Sequence, residues 1–201
     1  MVHQAYHDTE TGTWTHVFAC SVKKSCVVID PVLDYDAESK IKTTAHVDEV
    51  INFIENQGWQ LSYILETHAH ADHLTAAQVL KQKLGGQVCI GHGIIQVQET
   101  FKDRLPLGDD FMADGSDFDL LLKDGDELSF GDQTIKVMST PGHTSDSLTY
   151  LIEDYAVIGD TLFHPDSGTA RCDFPGGDAA VLYRSIEKIL SLPDETKLCL
   201  G

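Results

Sequence analysis

Three imidazoles and a carboxylate crowd into six positions of the stretch ETHAHADHLTAA: His68, His70, Asp72 and His73. The apolar run WQLSYILE leads into them, which reads as a buried strand ending in a loop. Side chains two apart on an extended segment share a side, so His68 and His70 are expected to point together, with Asp72 continuing the line. His73 is expected to open the following helix and turn back. Imidazole nitrogen and carboxylate oxygen suit zinc or iron, and the lack of thiolate argues against a structural cysteine-type zinc. A metal takes roughly three or four protein ligands, and two later segments offer more. STPGHTSDS places His143 in a Pro-Gly turn after the strand TIKVM, and AVIGDTLF places Asp160 after an apolar strand and a glycine. His92 and His164 also follow strands and are secondary candidates. His3, His7, His16 and His46 lie far from the motifs and read as surface or turn residues.

In order, H-x-H-x-D-H, T-P-G-H-T and G-D-T resemble the metallo-β-lactamase superfamily, over roughly residues 15–200. That resemblance implies an α/β (α+β) fold, an αββα sandwich of two mixed sheets flanked by helices, with ligands on loops at one edge. THAHADH, DGDELSFG, TPGHT and GTARCDFPGGDAAVLYRSI further resemble persulfide (sulfur) dioxygenases of the bacterial β-lactamase-hydrolase-like type, relatives of glyoxalase II. The resemblance implies one Fe(II) per chain and oxidation of glutathione persulfide, or a similar small persulfide, by O2 to sulfite and thiol. On the matching positions the iron ligands are His68, His143 and Asp160.

His70, Asp72 and His73 then sit beside the iron, orienting ligands and donating to bound water. In dinuclear relatives the same positions complete one metal and hold a second, so His70 remains a further candidate ligand, and Asp72 and His73 are the candidate catalytic pair. Arg171 matches the family's arginine on the glutathione moiety, where a guanidinium fork suits a carboxylate. Cys172 stands where eukaryotic members carry threonine, a substitution of a weaker donor in the substrate loop. The family's Gly/Ala-His-Asp-Tyr segment is expected after the point where this sequence stops at Gly201, so the family's C-terminal segment is expected to be missing. The rival implied by the same likeness is a glyoxalase II-type thioester hydrolase with one or two zinc ions. Zinc and iron share nitrogen and oxygen ligands, so the residues themselves leave the metal open.

The elements that must position these residues follow from periodicity. THVFACSVKKSCVVID reads as two strands around a Lys-Lys-Ser turn, and residues 33–45 as irregular. In HVDEVINFIENQG, Val47, Val50, Ile51 and Ile54 share a helical face and Gly58 suits the position after the helix. LTAAQVLKQKLGG reads as a helix with Leu74, Ala77, Leu80 and Leu84 inward, QVCIG as a strand, IIQVQETFKDR as a helix and residues 106–119 as an acidic surface loop. Strands follow over LLLKDGDELSFGDQTIKVMST, SLTYLIE and YAVIGD. DAAVLYRSIEKIL reads as a helix capped by Asp178 with Val181, Leu182, Ile186, Ile189 and Leu190 buried, and TKLCL as a last strand.

The 201 residues are expected to form a single domain, 1–201. A net charge of −18 repels phosphate backbones and argues against a nucleic-acid partner. No apolar run reaches the roughly 18 residues of a membrane span. MVHQAYHDTETGTW lacks a basic and then apolar leader, so a cytoplasmic location is expected. The five cysteines are odd in number and form no C-x-x-C, which suits free thiols in a reducing compartment. The expected partners are a small persulfide and O2, with a homodimer left open.

Overall fold

The structure, a computed structural model, describes residues 1–102, 104–108 and 110–201. Its contacts divide the chain into two compact units. The first comprises Met1–Glu66, His70–Cys89 and Ser129–Thr134; the second comprises Thr67–Ala69, Ile90–Leu128 and Ile135–Gly201.

The first unit carries β1 (Val2–His7), β2 (Trp14–Cys20), β3 (Ser25–Ile29), β4 (Val32–Leu33), β5 (Tyr35–Asp36), β6 (Ile41–Lys42), α1 (Ala45–Gln57), β7 (Gln60–Leu65), β8 (Leu74–Thr75), α2 (Ala77–Leu84) and the start of β9 (Gln87–Gly91). β1, β2 and β3 pair antiparallel in turn, then β3 pairs parallel with β7 and β7 with β9. Every residue of β3 is buried, as expected of a continuous apolar strand covered on both faces. α1 buries Val47, Val50, Ile51 and Ile54 and ends at left-handed Gly58 (φ 64°). There Gly58 and Trp59 donate to the carbonyls of Glu55 and Ile54, closing the helix end.

The second unit carries α3 (Ile94–Lys102), β10 (Leu120–Leu122), the first half of β11 (Glu127–Phe130), most of β12 (Gln133–Ser139), β13 (Leu148–Ile152), β14 (Tyr155–Gly159), α4 (Ala179–Leu190) and β15 (Lys197–Leu200). β12 pairs antiparallel with β13, β13 antiparallel with β14, and β14 parallel with β15. Ile135, Val137, Tyr150, Ile152, Ala156, Val157 and Ile158 are buried on these strands. The turn from β12 to β13 carries His143, and β14 ends on Gly159 ahead of Asp160. Asp178 caps α4, its Oδ1 accepting the N–H groups of Ala180 at 2.8 Å and Val181 at 2.9 Å. Asp178→Ala is therefore expected to lower stability by about 1 kcal/mol in urea unfolding, whereas Asp178→Ser should retain most of it.

Several expectations shift. β1 and the short pairs β4–β8 and β5–β6 were not expected. α2 begins at Ala77, so His73 precedes the helix instead of opening it, and Leu74 lies in β8 beside Leu33. Leu190 is 66% exposed because it falls about 100° around α4 from buried Ile189. Residues 94–102 are helical, while Asp103, in the helix reading, and Asp109, in the acidic-loop reading, lie outside the described residues. Among the described residues of 106–119 there is no helix or strand, and no described helix is long and apolar enough to cross a membrane.

None of the five cysteines forms a disulfide; Cys20, Cys26, Cys89 and Cys199 are buried and Cys172 is half-buried. Burial pushes the thiol of Cys26 up to about 12 and that of Cys199 up to about 11. Thiolate is the reactive form. Native labelling with a thiol-specific disulfide reagent should thus show Cys172 reacting first and the other four only on unfolding, read by mass spectrometry.

Candidate metal centre

The second unit brings His68, His143 and Asp160 together. The backbone beside His68 is tied on both sides: Leu148 donates to the Thr67 carbonyl at 2.8 Å, and Ala69 donates to Asp146 Oδ2 at 2.8 Å. The His68 ring is held by a 3.0 Å hydrogen bond between Nδ1 and Thr67 Oγ1. His143 follows Gly142, whose carbonyl accepts from Asp178 N–H at 2.9 Å, while Ser185 Oγ donates to the Pro141 carbonyl at 2.6 Å. His143 Nδ1 lies 2.7 Å from the Arg171 carbonyl. A carbonyl only accepts, so Nδ1 carries the proton and Nε2 presents its lone pair.

The Nε2 atoms of His68 and His143 each lie 3.7 Å from Asp160 Oδ2, and the three ligand atoms fall within 4.8 Å of one another. The rings meet edge to face at 5.1 Å. His68 and His143 are buried and Asp160 is half-buried. Two imidazoles with their outer nitrogens already bonded, facing one carboxylate, fit a first-row divalent ion.

A separate group forms in the first unit. Asp30, fully buried and left-handed (φ 50°), sits at the end of β3. Its carbonyl accepts from Thr15 Oγ1 at 2.8 Å and its N–H donates to the Leu65 carbonyl at 2.9 Å. His70 Nε2 lies 3.0 Å from Asp30 Oδ1 and 3.6 Å from Glu66 Oε2. Glu66 Oε1 accepts a short hydrogen bond from the Thr75 hydroxyl. Past Leu65 the chain leaves strand geometry, so the alternation expected from His68 does not set the side taken by His70.

Burial opposes charge on His70, but Asp30 and then Glu66 outweigh it and hold the imidazolium well above its usual range. Burial raises the Glu66 carboxyl. The His73 ring lies 4.2 Å from that of His70, tilted by 36°, and burial followed by the positive His70 lowers the His73 imidazole below its usual range. Its Nδ1 meets the Leu74 carbonyl at 3.1 Å, while its buried Nε2 has no hydrogen-bond partner among the described residues. His70, exposed Asp72 and His73 also bring ligand atoms within 4.8 Å of one another. Asp30, Glu66, Thr67 and Asp146 were missed as site residues; the only local signal was Asp30-Pro31, which reads as a strand end.

Arg171 pairs with Asp173 through two bonds of 2.7 and 2.8 Å, in the open. That pairing holds the Asp173 carboxyl down at about 2. The guanidinium lies 4.9 Å over Phe174, whose ring meets His143 edge-on at 5.8 Å. Cys172 follows Arg171 directly, and its carbonyl would meet a Cβ on Gly177 at 2.3 Å. His92 and His164 are among the exposed or half-buried residues and belong to none of the grouped donor sets among the described residues.

A sequence profile of the metallo-beta-lactamase superfamily matches residues 9–201. A probable metallo-hydrolase of Burkholderia pseudomallei (strain 1710b) is 45% identical over 208 residues, covering 98% of this chain and 71% of its own. A beta-lactamase hydrolase-like protein of Xylella fastidiosa (strain Temecula1) is 45% identical over 98% of this chain, which spans only 45% of that relative. A hydroxyacylglutathione hydrolase of Brucella ovis is 34% identical over 85% of this chain and 60% of its own. The crystal structure of ETHE1 from Myxococcus xanthus matches with a TM-score of 0.77 at 30% identity, covering 100% of this chain and 75% of the other.

Proposed function

Because the chain belongs to the metallo-beta-lactamase superfamily, we propose that its donor set serves an iron-dependent persulfide dioxygenase. The reaction is RSSH + O2 + H2O → RSH + HSO3− + H+, with glutathione persulfide or a similar small persulfide as substrate. The observation carrying this reading is the convergence of His68, His143 and Asp160, three protein ligands of the two-histidine, one-carboxylate kind that leaves coordination positions open. The motif resemblance and the likeness to ETHE1 from Myxococcus xanthus support it.

Held by His68, His143 and Asp160, Fe(II) would supply redox chemistry toward the persulfide sulfur and O2. The chain's own part is to orient and to move protons. Thr67 Oγ1 and the Arg171 carbonyl fix the two rings, so their Nε2 atoms need no reorganisation. Asp72 and His73 are assigned to proton handling, with the unpartnered His73 Nε2 as acceptor, and His70 to orienting that pair. Arg171 is assigned to a carboxylate of the thiol carrier, exchanging it for Asp173, and Cys172 to the same loop contact. A reducing, cytoplasmic setting fits the unbridged cysteines.

A second reading, a glyoxalase II-type thioester hydrolase with two zinc-like ions, is favoured by the second donor group of His70, Asp72 and His73 and by the hydroxyacylglutathione hydrolase relative. Oxygen uptake by anaerobically iron-loaded protein separates the two. The first reading expects glutathione persulfide to drive uptake with one sulfite formed per O2; S-lactoylglutathione hydrolysis without uptake would establish the second.

A further inference from the structure

Within the second unit, the turn that carries His143 also reaches across to His68. Residues 140–147 close on themselves. Gly142 donates to the Thr144 carbonyl and Thr140 to the Ser147 carbonyl, both at 3.0 Å, and the hydroxyls of Thr144 and Ser147 lie 2.6 Å apart. From this turn the buried Asp146 side chain meets the His68 loop, where its Oδ2 accepts the Ala69 N–H at 2.8 Å. Two residues on, the Leu148 N–H donates to the Thr67 carbonyl at 2.8 Å. The two bonds straddle His68. Residues 67–69 belong to no strand, so the carboxylate takes the place of a neighbouring strand's carbonyl for the Ala69 N–H.

Rigid backbone backs Asp146. A Cβ on Gly91 would collide with the Asp146 carbonyl oxygen, and one on Gly93 would lie 2.8 Å from Asp146 Cα. Residues 91–93, with His92 N–H donating to the Leu122 carbonyl at 2.8 Å, therefore press on Ser145 and Asp146. Asp146 cannot retreat from the His68 loop without moving that segment. Without the carboxylate, the peptide after His68 loses its tie while the peptide before it keeps the bond from Leu148.

We propose that Asp146 is a positioning residue of the metal centre: its carboxylate fixes the peptide after His68 to the turn bearing His143, and so sets the separation of the two imidazoles. It acts through the backbone and not as a ligand; among the described residues, none of the donor groups able to share an ion includes it. The role rests on the centre of His68, His143 and Asp160, but not on iron or on a persulfide substrate.

Titration of the full chain with Co(II), followed through its d–d absorption, tests this role. Asp146→Ala is expected to weaken Co(II) binding about tenfold and to shift the bands, because His68 is no longer held in register with His143. Asp146→Leu, which refills the volume without an acceptor, should behave as Asp146→Ala does. Asp146→Asn should stay within about threefold of the parent and keep its bands, since an amide oxygen also accepts the Ala69 N–H. Ile189→Ala opens a cavity beside Met138, Ala156 and Ile158. It should lower the urea midpoint at least as far as Asp146→Ala while keeping the parent's Co(II) affinity and bands. Parent-like affinity and bands in Asp146→Ala and Asp146→Leu would overturn the role, as would an equal loss in Asp146→Asn or Ile189→Ala. A parent chain that binds no Co(II) would remove the metal centre itself, and this role with it.

Discussion

Asp160→Ala is expected to reduce bound iron and persulfide-driven oxygen uptake by at least about a hundredfold, beyond the loss usual for a residue that merely supports a ligand. Asp160 supplies the one carboxylate of the set and faces both Nε2 atoms at 3.7 Å. Without it two neutral imidazoles remain, which bind a divalent ion poorly. His143→Ala should fall as far, since its ring is fixed by the Arg171 carbonyl and packed against Phe174. Half-buried Asp160 carries little of the packing, so its alanine variant should keep the parent circular dichroism spectrum. A folded Asp160→Ala protein with full iron and full uptake would remove this residue from the ligand set.

Gly142→Ala is expected to give the largest loss of stability, about 2–5 kcal/mol in urea unfolding. Gly142 has φ +133°, and a Cβ there would lie 2.3 Å from Leu182 N and 2.4 Å from Leu182 Cα. Those are backbone atoms of α4, which cannot swing aside as a long side chain can. Relief requires the Pro141–His143 turn to move off the helix, and iron affinity should fall with stability because His143 moves with it. Gly168→Ala is the control: φ is +82° but nothing lies within 4 Å. It should cost about 1 kcal/mol from backbone strain alone. Equal losses in the two variants would show that close approach to α4 is not what Gly142 provides.

What could be read in advance was local or periodic. α1 and α4 announced themselves through apolar spacing and through Gly58 and Asp178, whose roles depend on neighbours a few residues away. His68, His143 and Asp160 stood out because each follows an apolar strand, and strand ends are where rigid backbone meets loop. The partners of His70 were hidden. Asp30 lies 40 positions upstream, and nothing about Asp-Pro after an apolar run announces a buried carboxylate aimed at an imidazole. Leu190 misled because helical periodicity is least binding at a helix end.

X-ray absorption at the iron edge of anaerobically loaded protein tests the central claim most directly. The account predicts one iron per chain with two imidazole shells and oxygen donors, reduced to a single imidazole in any His143→Ala protein that retains metal. A metal–metal vector near about 3.5 Å, with two metals per chain, would contradict it and establish a dinuclear centre instead.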